Sequence, residues 1–172
     1  MGGHLDVDSV SINPLSPRLE TRVRLERLQL ARLLELQQQP GLSGEGELSG
    51  VLPLRYDPTG LRVRDGRIGN AGPGRIRYAP DAGVAALGQS HQGMAMALQA
   101  LRDFHYEVLS VDLQYAPDGA ALMQTRLKGY NPGWNGGRPV DFNINIEQNL
   151  LKLLQALQFT GKLTDSIEQR YR

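Results

Sequence analysis

Between Arg138 and Leu157 the chain changes its hydrophobic period once, with no linker, and few architectures accommodate that change. Val140, Phe142, Ile144 and Ile146 alternate with Asp141, Asn143, Asn145 and Glu147. A period of two puts the four apolar side chains on one face of a strand and the polar ones on the other. From Asn149 the apolar residues fall at Leu150, Leu153, Leu154 and Leu157, with Leu151 broadening the stripe. That spacing predicts a helix with one buried side. A strand wet on one face, followed at once by a helix lying back on its sheet, is an α+β arrangement. It brings no nucleophile, metal ligand or phosphate loop, so it reads as scaffold or binding surface before catalyst.

The rest of the chain alternates too. Leu5, Val7, Val10 and Ile12 predict an edge-like strand with one phase slip, broken by Asn13-Pro14 and Ser16-Pro17. Leu19, Thr21, Val23 and Leu25 alternate with charged residues until the phase fails at Arg27. Leu30, Leu33 and Leu34 then predict a short helix over about 29–38, ended by Pro40-Gly41. Residues 44–56 predict a long strand with Leu48, Leu52, Leu54 and Tyr56 on one face, Pro53 marking an edge or a bulge. Asp65-Gly66 predicts a hairpin between short strands at 61–64 and 67–71, with another strand at 75–78. Residues 81–92 are expected to be loose, and Ala97, Leu98, Leu101 and Phe104 supply the apolar side of a helix over about 93–103. Strands at 106–116 and 120–130 are joined by Pro117-Asp118-Gly119, the first carrying Leu109, Val111 and Leu113 on one face.

Composition excludes several classes of function. A chain of 172 residues with formal net charge +1 has no electrostatic basis for nucleic-acid binding, which goes with a marked basic excess. There is no cysteine, hence no disulfide and no thiolate zinc site. No apolar run approaches bilayer length, and the amino terminus lacks the form of a secretion signal. Met1-Gly2-Gly3 leads straight into a strand pattern, so we expect a piece of a longer protein whose targeting segment lies elsewhere.

The residues that invite chemistry have plainer explanations. Gly41, Gly44, Gly46 and Gly50 precede a strand, whereas a phosphate loop must open a helix. His4, His91 and His105 lie far apart without ligand-type neighbours at helical spacing, so no metal is expected. Asp6 with Asp8, and Glu45 with Glu47, suit solvated strand faces better than acid–base work. Arg18, Arg22, Arg24, Arg27 and Arg32 are interleaved with Glu20, Glu26 and Glu35, which points to salt-bridging on a wet face. No catalytic residue and no cofactor is expected. Tyr130, Asn131, Pro132 and Trp134, in a glycine-rich loop around the single tryptophan, form a candidate interface loop, the plainer alternative being that Trp134 caps the end of the core.

Four local signatures carry a resemblance: residues 46–54 (GELSGVLPL), 72–78 (GPGRIRY), 127–132 (LKGYNP) and 138–150 (RPVDFNINIEQNL). Together they resemble the carboxy-terminal region of the YdbH family, within the AsmA-like group that includes TamB. The resemblance runs from about Gly41 to the end, and none of the signatures is catalytic. It implies an elongated, curled, mainly antiparallel β-sheet, a taco-like groove with short helices and a C-terminal helical segment packed at one end. The sheet domain then covers 1–158, with its terminal helix from about 149, and 159–172 form a polar helical tail. The resemblance also implies a periplasmic location in an inner-membrane-anchored protein of Gram-negative bacteria, one that carries phospholipid towards the outer membrane. Its partners would be phospholipid acyl chains and a small outer-membrane lipoprotein of the YnbE kind that adds strands to the sheet. The candidate apolar lining is Leu52, Leu54, Leu109, Val111, Leu113, Val140, Phe142, Ile144 and Ile146, the alternative being that Val140, Phe142, Ile144 and Ile146 pack only under Leu150, Leu153 and Leu154. Two alternatives stand beside this reading: a partner-docking module without lipid contact, and a small-carboxylate-binding domain, after an older dicarboxylate-transport label. No arginine cluster in an apolar setting supports the last.

Overall fold

The computed structural model describes residues 3–8, 10–12, 14–15, 17–37 and 39–149. Its strands are β1 (His4–Val7), β2 (Ser11–Ile12), β3 (Leu19–Gln29), β4 (Leu42–Glu45), β5 (Glu47–Asp57), β6 (Gly60–Asn70), β7 (Gly74–Tyr78), β8 (Phe104–Tyr115), β9 (Ala120–Tyr130) and β10 (Val140–Asn149). Three helices interrupt them: α1 (Leu30–Gln37), α2 (Ala82–Ser90) and α3 (Gln92–Leu101). All pairings are antiparallel and belong to one open, curled sheet. Its main course runs β1-β3-β5-β6-β8-β9-β10. On β8, β7 pairs with Phe104–Tyr106 and β6 with the stretch from Ser110 to Tyr115, while β9 runs along nearly the whole strand. β4 extends the sheet beyond β7. The α+β, mainly antiparallel expectation is met; the helix predicted from about 149, and the tail after it, lie outside the described residues.

Three local expectations need correction. Asp65-Gly66 is not a hairpin turn, because β6 runs unbroken from Gly60 to Asn70. Asp65 takes φ 55° at a register shift between Val63 and Gly66, so the dipeptide makes a bulge inside one strand. Residues 81–92 are not loose: α2 occupies Ala82–Ser90, and the Asp81 carboxylate caps it by accepting from the Val84 amide at 2.9 Å. The strand predicted over 44–56 is two strands, divided at Gly46 with φ 132°. A side chain there would collide with the Tyr106 hydroxyl. β4 consequently turns away to β7 while β5 pairs with β3 and β6. Pro53 sits in this interior strand, where the β5–β6 register slips between Val51 and Leu54; it marks a bulge and not an edge.

The core lies at one end of the strands. Leu30, Leu48, Ala100, Phe104, Tyr106, Leu109 and Leu127 are buried together, and Trp134, Val140 and Phe142 pack against them. Phe104 and Phe142 meet as tilted rings, centroids 5.4 Å apart. Among the described residues no helix is long and apolar enough to cross a membrane.

Candidate functional site: one apolar face across seven strands

Side chains of directly paired residues share a face of a sheet. Following the pairs outward from β10, Ile144 lies opposite Thr125, then Val111, Ile68, Gly50, Leu25 and Leu5. This row crosses seven strands without a charged side chain. A second row runs Ile146, Met123, Leu113 and Gly66, where Leu52 leans over the space a glycine leaves, and continues through Val23 to Val7. A third links Ala121, Tyr115, Val63, Leu54 and Thr21. A fourth, at the core end, is Phe142, Leu127 and Leu109.

All nine residues of the predicted lining therefore fall on one face. Sequence reasoning missed Leu5, Val7, Val23, Leu25, Val63, Ile68, Tyr115, Ala121, Met123 and Leu127, which lie in the same rows. Strand alternation flagged several of these, but only the pairing register shows that they align.

Exposure along this face is graded. Leu109 and Leu127 are buried under α1, α3 and the Trp134 loop. Ile144 is 40% and Ile146 36% exposed, and on β1 Leu5 and Val7 rise to 61% and 54%. Among the described residues the face is thus roofed at one end of the strands, still buried at Leu25, Val63 and Ala121 beyond the roof, and exposed at the outer strands β1 and β10. At the unroofed end Val63, Tyr115 and Ala121 border a recess of about 790 Å³.

The opposite face is polar and laced with cross-strand ion pairs: Arg55 to Glu20 at 2.6 Å, Arg67 to Asp112 at 3.5 Å, Arg126 to Asp141 at 2.7 Å. Bonding to Arg126 holds the Asp141 carboxyl below its ordinary range. Glu45 and Glu47 do not converge, since Glu47 meets Arg27 and Glu45 meets Arg77. No group of three or more histidines or carboxylates able to hold a metal occurs among the described residues.

The four loop residues have different surroundings. Asn131 is buried, donates to the Gln99 and Ala100 carbonyls at 3.2 and 3.1 Å, and so ties the loop to α3. Half-buried Trp134 donates its Nε1 hydrogen to Gln99 Oε1 at 2.8 Å. Tyr130 is exposed and stacks on His105, and Pro132 is exposed.

An uncharged, partly open face of this kind can hold apolar matter. The family profile described as "YdbH-like: Intermembrane phospholipid transport protein YdbH" matches residues 1–172. The chain belongs to the YdbH-like family. It is similar to the Escherichia coli K12 protein named "Probable phospholipid transport protein YdbH", with 24% identity over 172 residues. That match covers 100% of this chain and 19% of the relative, so the chain spans about a fifth of that protein's length. No solved structure matches.

Proposed function

We propose that this chain is the carboxy-terminal, periplasmic domain of an AsmA-like bridge protein, anchored in the inner membrane, that passes phospholipid between inner and outer membranes. The supporting observation is the uncharged row from Ile144 to Leu5, open to solvent at both margins. Holding an acyl chain there needs only burial of methylenes, worth ~0.8 kcal/mol each. A lipid tail of about sixteen carbons would lose ~12 kcal/mol of that stabilisation in water. A continuous apolar track removes most of this barrier while the headgroup stays wet at the open margin. The reaction is physical transfer, with no covalent step, no enzyme activity and no cofactor.

A photo-reactive residue at Ile144, in the full-length protein in cells, tests this. Lipid adducts by mass spectrometry are expected. Capture of protein alone at Ile144 would overturn lipid passage through this domain. It would favour a second reading, in which the domain only docks a small YnbE-like outer-membrane lipoprotein by strand addition. What supports that reading is β10, which pairs with β9 along its whole length and with no further strand among the described residues.

A further inference from the structure

Between Asp81 and Arg102, twenty consecutive residues include no Asp, Glu, Lys or Arg. They form the α2–α3 hairpin, and its exposure is anomalous. In α2 only Gly88 is buried and Val84 half-buried; the other seven residues face solvent, although the helix is mostly Ala, Gly, Val and Leu. Leu87 is 60%, Met94 48% and Met96 46% exposed. A helix apolar all round is ordinarily covered by something.

The hairpin is one unit with a fixed root. A methyl group at Gly88 would meet Leu98 Cδ1 at 2.9 Å, so the two helices cross in close contact. Ala100 and Leu101 at the carboxy-terminal end of α3 belong to the core. At that root Trp134 is hydrogen-bonded to Gln99, and Asn131 to the Gln99 and Ala100 carbonyls. Arg102, next along the chain, and Arg138, in the Trp134 loop, are exposed and take part in no ion pair found among the described residues.

A charge-free tip above a tryptophan and the cations Arg102 and Arg138, which outnumber the Asp81 carboxylate at the start of α2, is a distribution suited to a bilayer surface. Apolar side chains enter without dehydrating ions, indole sits at headgroup level, and arginine meets anionic lipid. From Met94 to Gln99 is about 7.5 Å of helix. Interfacial helices reach about 5–10 Å into the headgroup–acyl boundary. The dimensions match.

We propose that the α2–α3 hairpin docks this domain on a lipid surface, with Leu87, Met94 and Met96 entering the boundary and Trp134, Arg102 and Arg138 at the headgroups. This does not rest on the groove reading, since a hairpin can moor the domain whether or not the inner face carries lipid.

The test is flotation of the whole chain with vesicles of phosphatidylethanolamine and phosphatidylglycerol. The chain should float with them, and the single tryptophan should shift its emission to the blue. Charging the tip by Leu87→Glu, Met94→Glu and Met96→Glu should weaken binding by about a hundredfold, two decades of affinity. These positions are exposed, so circular dichroism should show the fold intact. Arg102→Gln with Arg138→Gln should weaken binding only where phosphatidylglycerol is present. Absence of flotation, or undiminished flotation of the charged variant, overturns the proposal. So does a chain that ignores vesicles but self-associates through the same three residues, because the occupant is then a second copy. Lipid adducts at Ile144 would survive either failure, so the two ideas are separable.

Discussion

Tyr106 shows how much of the sheet rests on one side chain. It is 1% exposed, its hydroxyl donates to the Glu45 carbonyl at 3.0 Å, and it fills the space left free by Gly46 and Gly74. Burial pushes its phenol pKa up, as expected for a group deprived of water. Tyr106→Phe removes one bond and leaves the packing, so a loss of about 1 kcal/mol is expected in chemical denaturation. Gly46→Ala should cost more, because φ 132° strains any side chain and the hydroxyl occupies its place. Asp103 governs acid stability nearby. Arg75 donates to its carboxylate, and Arg77 and His105 lie at 3.8 and 3.5 Å. Bonding to Arg75 foremost, with His105 adding, holds its pKa below the ordinary value. A depressed folded-state pKa means the unfolded chain binds the proton more tightly. The stabilisation is therefore complete above the unfolded value, about 3.9, and drains away as pH falls through the lower folded one. The Tm advantage of the native chain over Asp103→Asn should hold from neutral pH to about 5 and shrink below about 4. A gap that widened on acidification would contradict this.

Elements were legible where local pattern decides them and obscure where it does not. Val140 to Ile146 announced a half-wet strand because one face needs apolar atoms and the other water, and the structure has that strand. The helix over 92–101 was legible through Ala97, Leu98 and Leu101, whereas α2 was hidden because Ala, Gly and a lone exposed leucine make no stripe. Asp65-Gly66 misled because a residue at positive φ followed by glycine serves a bulge as readily as a tight turn. Least legible was the seven-strand row, since register depends on pairings far apart in sequence and on slips at Arg27 and Asp65. β10 carries the prediction at this scale. Along an antiparallel edge strand, amides point alternately to the neighbour and to solvent. Proline at Asn143 and at Ile144 should therefore have opposite consequences. One substitution breaks a bond to β9 and lowers Tm; the other leaves Tm near native and abolishes any strand added by a partner. Partner binding unaffected by both would exclude β10 as the docking edge.

At the scale of the whole molecule, the open sheet uses one apolar face in two ways. Where α1, α3 and the Trp134 loop cover it, the face is a core and holds the fold together. Beyond the roof the same alternation continues through half-buried Val111, Leu113 and Met123 to exposed Ile144 and Ile146, an arrangement that stabilises the protein less than the same residues would if fully buried. Stability and ligand contact should therefore separate along the strands. Leu109→Ala, 6% exposed beforehand, should destabilise by about 2–5 kcal/mol, through lost transfer energy and the cavity left behind. It should leave lipid capture by a photo-reactive residue at Met123 unchanged in the folded fraction. Ile144→Ser and Ile146→Ser should each cost about 1–2 kcal/mol, less than the buried leucine, since both side chains are already in contact with water. Yet together they should sharply reduce that capture, because two hydroxyls interrupt the row beside the probe. The reverse pattern, with the serine pair unfolding the domain and Leu109→Ala silencing capture, would mean that the open half is ordinary core and that lipid, if bound, lies under the roof.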